Sequence, residues 1–338
     1  GYITGHGSVL AQVGDVSSFI ANGALVEIVF LLFSLLTLGI IFAGVRNGVE
    51  RVSRMMMPVL VVLSVIIAAY SVTRPGALEG VKYFLVPNPA NFSWMTVVTA
   101  MGQLFYSLSL AMGILVTFGS YMKKDVSIEG STENVEIFDT LIAMMAGLMI
   151  IPAVFSFSGG DPDTLQAGPA LMFITIPKVF ESMELGSLVG VLFFVLVLFA
   201  AVTSSIALTE SAVSTFEDEL GWSRKKAAAV IGIIMVLLGS LSALGYGPLS
   251  GVTVIGMQFL DFFDFLTNSV MMPIAAIAIC LLVTSVIGVE KIEEEVTRNG
   301  QPFRRKKVFN FMIRTLCPVF AAIILVSSVA NALGWISM

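Results

Sequence analysis

The most informative segment of this chain lies at residues 100–113, which read Ala100-Met-Gly-Gln-Leu-Phe-Tyr-Ser-Leu-Ser-Leu-Ala-Met-Gly113. It occupies the middle of an apolar run of about 28 residues, from Trp94 to Tyr121, and ~20 residues suffice to cross a bilayer. Polar or flexible residues interrupt the run near its expected midplane: they are Gly102, Gln103, Ser107, Ser109 and Gly113. Because backbone groups in hydrocarbon must be hydrogen-bonded, a break is tolerated only where it lines an enclosed cavity. One interpretation is a discontinuous membrane helix whose break is a binding site. The other is an ordinary span that uses Ser and Gly for close helix packing.

The composition indicates a membrane protein. Of 338 residues, 57% are hydrophobic and 12% are charged, whereas soluble domains carry about 25% charged residues. We therefore predict an all-α polytopic membrane protein with about eight transmembrane helices. The predicted spans are approximately 25–45, 55–72, 94–121, 134–157, 185–212, 227–244, 261–289 and 308–333.

Lysine and arginine are distributed unevenly between the two sides that these spans define. Of the 18 Lys and Arg residues, 15 lie on the side of the linkers after the first, third, fifth and seventh spans, counting Arg314. The other side holds only Arg74, Lys82 and Lys178. The positive-inside rule assigns the basic side to the cytoplasm.

This assignment places three further segments. The charged linker 290–307 is expected to be cytoplasmic, and the loop 159–183 is expected to be extracellular with one or two short helices. Residues 1–22 resemble part of an extracellular loop and contain no starting Met. We therefore expect an N-terminally truncated fragment that begins with a loop remnant.

Ionisable residues inside membrane spans are rare and often functional. Asp139 lies about one turn into the fourth span; it could bind a ligand or be reached by interfacial water. Glu210 lies deep in the fifth span, where it could act in function or form an interhelical hydrogen bond. Asp261 and Asp264 share one helix face at the start of the seventh span. They could form a gate or simply favour the helix dipole.

Several oxygen-bearing side chains could together bind a small monovalent cation. Hydroxyls and a carboxylate are available from Ser107, Asp139, Thr203 and Ser204. The carboxylate would supply the charge that favours cation binding in a low dielectric. Small residues and hydroxyls also suit close helix packing, which is the alternative for the fifth span. The sequence contains no His/Cys cluster, Gly-rich phosphate loop or nucleophile–base pair, so an enzyme is not indicated.

Four segments taken together resemble the neurotransmitter:sodium symporter family, in particular its bacterial amino-acid transporters. They are Gly102-Gln-Leu-Phe-Tyr-Ser-Leu-Ser-Leu110, Val202-Thr-Ser-Ser-Ile-Ala207, Phe216-Glu-Asp-Glu-Leu-Gly-Trp-Ser-Arg-Lys-Lys226 and Asp261-Phe-Phe-Asp264. The resemblance covers essentially the whole chain and implies one transporter domain, 1–338, of the inverted-repeat sodium symporter fold. The eight spans would correspond to the family's fourth to eleventh helices, with the third span as the broken sixth helix.

The resemblance also implies roles for individual residues. Substrate-binding residues would be Tyr106 as an aromatic lid, Ser107, Ser109, Met112, Ser204 and Leu208. Sodium ligands would be Ser107 and Asp139 for one ion, and Ala200, Thr203 and Ser204 for a second. Asp264 would be the outer gate acid and Asp218 the inner one.

The function that the resemblance implies is sodium-coupled symport of an amino acid across a bacterial cytoplasmic membrane by alternating access. Its partners would be the amino-acid substrate and the lipid bilayer, and not nucleic acid; the oligomeric state stays open, as does the choice between leucine-like and aromatic substrates. Asp139 stands where many members have asparagine, so chloride is not expected to be required. Two alternatives remain: a proton-coupled permease that uses Asp139 or Glu210, and a non-transporting scaffold or binding subunit. The family's first three helices carry many of the ligands and the gate arginines, so this chain alone is not expected to transport.

Overall fold

Long apolar helices dominate the structure, a computed structural model that describes residues 18–161 and 171–335. Seven of the helices are long and apolar enough to cross a membrane. The predicted third span is not among these seven because it is divided into two short helices. The all-α polytopic fold class is therefore confirmed. Two parts of the predicted extracellular loops, 1–17 and 162–170, lie outside the described residues.

The principal helices follow the predicted spans closely. In chain order they are α1 (Gly23–Phe42), α2 (Val45–Val72), α3 (Ala77–Leu85), α4 (Trp94–Ser107), α5 (Ile114–Ser120), α6 (Ile128–Ser158), α7 (Ile176–Glu181), α8 (Gly186–Leu220), α9 (Arg224–Leu244), α10 (Phe259–Ile287), α11 (Val289–Val296) and α12 (Lys306–Ala332).

The first predicted linker differs from the structure. The first span ends at Phe42 rather than near residue 45. Two residues later, Gly44 adopts a φ of 88°. The chain then returns at once to helix, so the predicted linker 46–54 forms the start of α2. An ion pair between Arg54 and Glu50, one turn apart at 2.5 Å, shows how a charged sequence can continue the helix there.

Wide π-helical turns occur within or next to several of these helices, and three of them end two residues before a proline. The turns at Leu171–Thr175, Phe265–Met271 and Met312–Leu316 precede Pro177, Pro273 and Pro318. Proline lacks the N–H that closes a normal helical turn, and its ring crowds the preceding carbonyls. A π turn is one local adjustment that accommodates such crowding within a helix.

The chain divides into two compact units, of which the first comprises 1–89, 140–209 and 222–252. Its described part has an apolar core in which α2, α6, α7 and α8 meet; Ile67, Val154, Val179 and Phe193 are among its buried residues. The short helix α7 thus contributes directly to the core of this unit, although it lies in the loop 159–183.

A close antiparallel contact between α1 and α9 also belongs to the first unit. A Cβ added to Gly239 would lie 2.2 Å from the ring of Phe30, so only glycine permits this approach. One residue further on, the Ser240 hydroxyl donates a hydrogen bond of 2.6 Å to Glu27 Oε1. The pair therefore combines small-residue packing with a polar contact, as membrane helix pairs commonly do.

Arg224 joins the other end of this helix pair. Its Nε and Nη2 atoms both donate to the carbonyl oxygen of Ile41, at 3.2 and 3.0 Å. That carbonyl lies in the last turn of α1, where the helical ladder ends, and it also accepts the backbone amide of Gly44 at 3.0 Å. The guanidinium therefore caps α1 and also complements the negative end of its dipole.

We expect Arg224→Ala to lower the free energy of unfolding by about 1–2 kcal/mol, because it removes the charged donor from the carbonyl of the buried residue Ile41. Thermal unfolding of the chain in detergent measures this loss. Lys225→Ala is the matched control, since it removes a neighbouring exposed cation that makes no such contact. Equal melting temperatures for the two variants would contradict the capping role.

The second unit comprises 90–139, 210–221 and 253–338. It contains α4, α5, α10, α11 and α12, with the first turns of α6 and the last turns of α8. Within it, α12 packs mainly on the middle of α10 and also touches α4.

An acidic face on the first turns of α6, formed by Glu129, Glu133 and Glu136, holds the chain just before α12. Glu129 accepts the backbone N–H groups of Arg304 and Arg305, each at 2.9 Å. The guanidinium of Arg305 donates to Glu136 at 2.7 Å and lies 3.5 Å from Glu133. The hydrogen bond and charge of Glu136 raise the pKa of Arg305. This acidic face therefore orders the end of the linker 290–307.

Replacing Glu129 with glutamine is expected to loosen this connection, because an amide offers one acceptor oxygen where the carboxylate offers two. The backbone amides of Arg304 and Arg305 should exchange with deuterium roughly threefold faster or more. Hydrogen exchange followed by mass spectrometry measures the change. Glu290→Gln, an exposed position on the same linker, should leave their exchange unaltered.

Candidate functional site

The break in the predicted third span lies between α4 and α5. Helix α4 ends at Ser107 and α5 begins at Ile114. Between them, Ser109 and Ala111 adopt φ values of 53° and 60°, and Gly113 adopts 79°. Left-handed conformations at residues other than glycine cost of order 1–3 kcal/mol each and cluster at functional sites. The surroundings must therefore stabilise a backbone that the sequence disfavours.

The break leaves helix ends and backbone groups available to a ligand. Only the first part of the turn is tied back to α4, by the amides of Leu108, Ser109 and Leu110. Within the described chain, the amides of Ala111 and Met112 have no backbone acceptor. The break thus combines the carbonyl-rich end of one helix with the amide-rich start of another, which favour positive and negative charge respectively.

Two residues predicted to share a sodium ion are in contact at this break. The Ser107 hydroxyl, at the last residue of α4, donates a hydrogen bond of 2.7 Å to Asp139 Oδ1. Asp139 is half-buried on α6, about three turns from its start. A hydroxyl oxygen and a carboxylate therefore meet at the start of the break. This is the oxygen-rich arrangement that a hard cation requires.

The predicted substrate residues of this unit flank the same break. Tyr106 is 51% exposed, so its ring is available for contact. Ser109 and Met112 are half-buried within the turn itself. Their roles in substrate binding stay predictions.

The predicted second sodium site lies on α8, in the part of that helix that belongs to the first unit. The Thr203 hydroxyl is buried and donates to the carbonyl oxygens of Ala200 and Phe199, each at 3.0 Å. Ala200 and Thr203 therefore present adjacent oxygens. Ser204 and Leu208 lie on an exposed side of the helix.

The two predicted gate acids are both exposed. Asp264 accepts a hydrogen bond of 2.5 Å from the amide of Asn268, one turn along α10. Asp218 lies near the end of α8. Among the residues that the structure describes, neither carboxylate lies within 4.0 Å of a lysine or arginine nitrogen. Their pairing with cations stays a prediction.

Sequence reasoning missed a polar contact at the far side of α5. Tyr121, directly after this helix, donates its hydroxyl to Glu210 Oε1 at 2.8 Å. Glu210 is fully buried, so this contact corresponds to the interhelical hydrogen bond that was one of its two interpretations. Thr117 on α5 donates in the same way to Ser211, at 3.3 Å. The sequence shows only a tyrosine at the end of an apolar run, which is too common to indicate this contact.

Comparison with known proteins identifies the family of the chain. The sequence model of the Sodium:neurotransmitter symporter family matches residues 10–334. An uncharacterized sodium-dependent transporter of Bacillus subtilis (strain 168) is 35% identical over 319 residues, which cover 94% of this chain and 69% of that protein. An uncharacterized sodium-dependent transporter of Haemophilus influenzae is 31% identical over 305 residues, covering 89% of this chain and 65% of that protein. The chain thus spans about two thirds of the length of these relatives.

A solved structure is similar over nearly the whole chain. The crystal structure of MhsT in complex with L-phenylalanine superimposes with a TM-score of 0.82 at 34% sequence identity. The match covers 97% of this chain and 74% of that chain.

Proposed function

The chain belongs to the Sodium:neurotransmitter symporter family, a family of sodium-dependent transporters and not of enzymes, and from this premise we propose that the full-length protein couples sodium entry to amino-acid uptake. The observation that carries the proposal is the contact between Ser107 and Asp139 beside the broken helix. The proposal concerns the full-length protein because the chain spans 69% and 65% of its relatives' lengths.

Two sodium ions are proposed. The first would be bound by Ser107 and Asp139, where a negative carboxylate meets a hydroxyl. The second would be bound on α8 by the carbonyl of Ala200 and the hydroxyls of Thr203 and Ser204. Two adjacent oxygens at Ala200 and Thr203 support this second assignment.

The substrate would be an amino acid with an apolar side chain. Its ammonium and carboxylate groups suit the two helix ends of the break, which carry opposite partial charges. The L-phenylalanine in the similar MhsT structure supports this class. Tyr106, Ser107, Ser109, Met112, Ser204 and Leu208 are the proposed binding residues.

Transport would proceed by alternating access, with Asp264 closing the outer side and Asp218 the inner side. Both are exposed, so both are accessible for pairing with cations in the full-length protein. Sodium and substrate sharing residues at the break would each strengthen the binding of the other. The membrane would be the cytoplasmic membrane of a bacterium, since two similar transporters come from Bacillus subtilis and Haemophilus influenzae.

Chloride would not be needed, because Asp139 already supplies a fixed negative charge beside the first sodium ion. Uptake by the full-length protein with chloride replaced by gluconate tests this point. We expect unchanged rates, and strict chloride dependence would contradict the proposal.

The coupling ion is tested by reconstituting the full-length protein in proteoliposomes. An inward sodium gradient at equal pH should drive accumulation of labelled phenylalanine or leucine, whereas a pH gradient without sodium should not. Uptake driven by the pH gradient alone would favour a proton-coupled permease, for which the buried Glu210 would be a candidate carrier. If neither gradient drives uptake although the protein is folded, a scaffold or binding subunit would be favoured.

A further inference from the structure

Two cationic side chains near the start of α12 lack an acidic partner. Lys307 and Arg314 are both exposed, and among the described residues neither lies within 4.0 Å of a carboxylate oxygen. The acids nearby are already engaged, since the acidic face of α6 binds Arg305 and Glu293 pairs with Lys306. Two positive charges are therefore left uncompensated at this end of the helix.

The two cations lie seven residues apart in the first turns of α12, and the π turn Met312–Leu316 includes Arg314. Phe311, which is 56% exposed, follows Lys307 by four residues, a spacing that makes helical side chains neighbours, and it directly precedes the π turn. Arg314 lies beyond Phe311, inside this wider turn, and is exposed like Lys307. Its long side chain can extend back toward the charged linker, as arginines near the ends of membrane helices do.

An open apolar groove runs along α12. Because the π turn before it holds one residue more than an α-helical turn, Val319 and Val326, which are 12 and 19 residues after Lys307, return to the side of Lys307. The walls of the groove are Val319, Ala322, Ile323, Val326, Ser327 and Ala330. The spacings of three and four residues place these side chains on one face of the helix. Ala321, by contrast, is buried. Positive charge therefore stands at one end of a long apolar groove.

We infer that this surface binds an anionic phospholipid, with its phosphate held by Lys307 and Arg314 and an acyl chain in the groove. The Lys and Arg distribution places Lys307 on the cytoplasmic side, where anionic headgroups attract basic residues. A zwitterionic lipid would leave the excess positive charge uncompensated. An acyl chain can also bury apolar surface in the groove, which a soluble phosphate cannot do.

The test uses the 338-residue chain in nanodiscs made from equal amounts of phosphatidylglycerol and phosphatidylcholine. After release into mild detergent, native mass spectrometry counts the lipids that stay bound. We expect retained phosphatidylglycerol to exceed phosphatidylcholine roughly tenfold, as two uncompensated cations favour it. The Lys307→Gln/Arg314→Gln double variant should bring the ratio close to parity. Val326→Trp, which fills the groove, should reduce retained lipid while both cations remain.

Matched variants separate this site from a general charge effect. Lys225→Gln/Lys291→Gln removes two exposed cations elsewhere on the same predicted side and should leave the ratio unchanged. An equal loss in that control, or no loss in the double variant, would overturn the inference. Release of the lipid by inorganic phosphate would point to an anion site without an acyl chain.

The remaining occupants give distinct outcomes. A dimer that excludes the lipid would identify a second copy as the cover of the groove. If the lipid binds this chain but not the full-length protein, another segment of that protein covers the groove. Either result would overturn the assignment to a phospholipid.

Discussion

Asp139→Ala in the full-length protein is expected to abolish sodium-stimulated uptake. The half-buried carboxylate contacts Ser107 at 2.7 Å, beside the unpaired backbone of the break. A unit charge about 4 Å from a cation contributes about 4 kcal/mol at an effective dielectric of 20. Since every 1.4 kcal/mol is a factor of ten, sodium affinity should fall by about a hundredfold or more, even allowing for partial exposure. Uptake measured against sodium concentration gives the result directly.

The matched variant is Asp139→Asn, assayed in chloride-free gluconate medium. The amide keeps the shape and can still accept the hydrogen bond of Ser107, but it has no charge. We expect sodium stimulation to be lost in this variant as well. A normal sodium dependence in either variant, with the protein folded and inserted, would show that Asp139 is not a sodium ligand.

Gly113→Ala should be the most damaging of the conservative changes at the break. Gly113 has a φ of 79°, and a Cβ added there would lie 2.7 Å from the Ser211 hydroxyl. The left-handed conformation costs an alanine about 1–2 kcal/mol, and Ser211 must also shift from its hydrogen bond with Thr117. We expect the free energy of unfolding to fall by about 2–3 kcal/mol, and uptake by the full-length protein to be lost.

Gly119 provides the control within the same short helix. It has ordinary helical geometry, and nothing lies within 4 Å of an added Cβ. Gly119→Ala should therefore leave the melting temperature unchanged or raise it, because alanine is the better helix former. If both variants melt at the same temperature, the shape of the break does not depend on Gly113.

The sequence pattern left a broken helix and an ordinary packed span both open; the family resemblance favoured the broken helix, and neither predicted the form of the break. Polar residues at membrane depth required a cavity or a close packing contact, and Gly113 marked the end of the irregular segment. The left-handed conformations of Ser109 and Ala111 were not predictable, because such residues avoid that region in isolation. They arise from the surroundings of the break, which local propensity does not contain.

The contacts of the candidate site were also only partly predictable from the sequence. Ser107 and Asp139 were predicted as partners through the family resemblance, and their side chains do touch; their binding of sodium stays a prediction. Glu210 was noticed because a buried acid is rare in a membrane span, whereas its partner Tyr121 was not. A tyrosine near an interface is common, so sequence alone gives it no distinction.

The charged linker 290–307 shows the limit of charge counting. Its six basic residues fixed the predicted side of the membrane, and this use needs only their number. Which of them would be neutralised depends on the acidic face of α6, more than 150 residues away in sequence. Only the folded chain separates Arg305 and Lys306, which are paired, from Lys307 and Arg314, which are not.

The π turns that precede prolines have a consequence for insertions and deletions. A turn of this kind holds one residue more than an α-helical turn, and one residue corresponds to about 100° of rotation around a helix. Deleting a single residue from Met312–Leu316 could therefore preserve a continuous helix while rotating everything beyond it. The groove at Val319 and Ile323 would then turn away from the side that carries Lys307. In α12, the additional residue of the π turn therefore determines how the side chains at the two ends of the helix are rotated relative to each other.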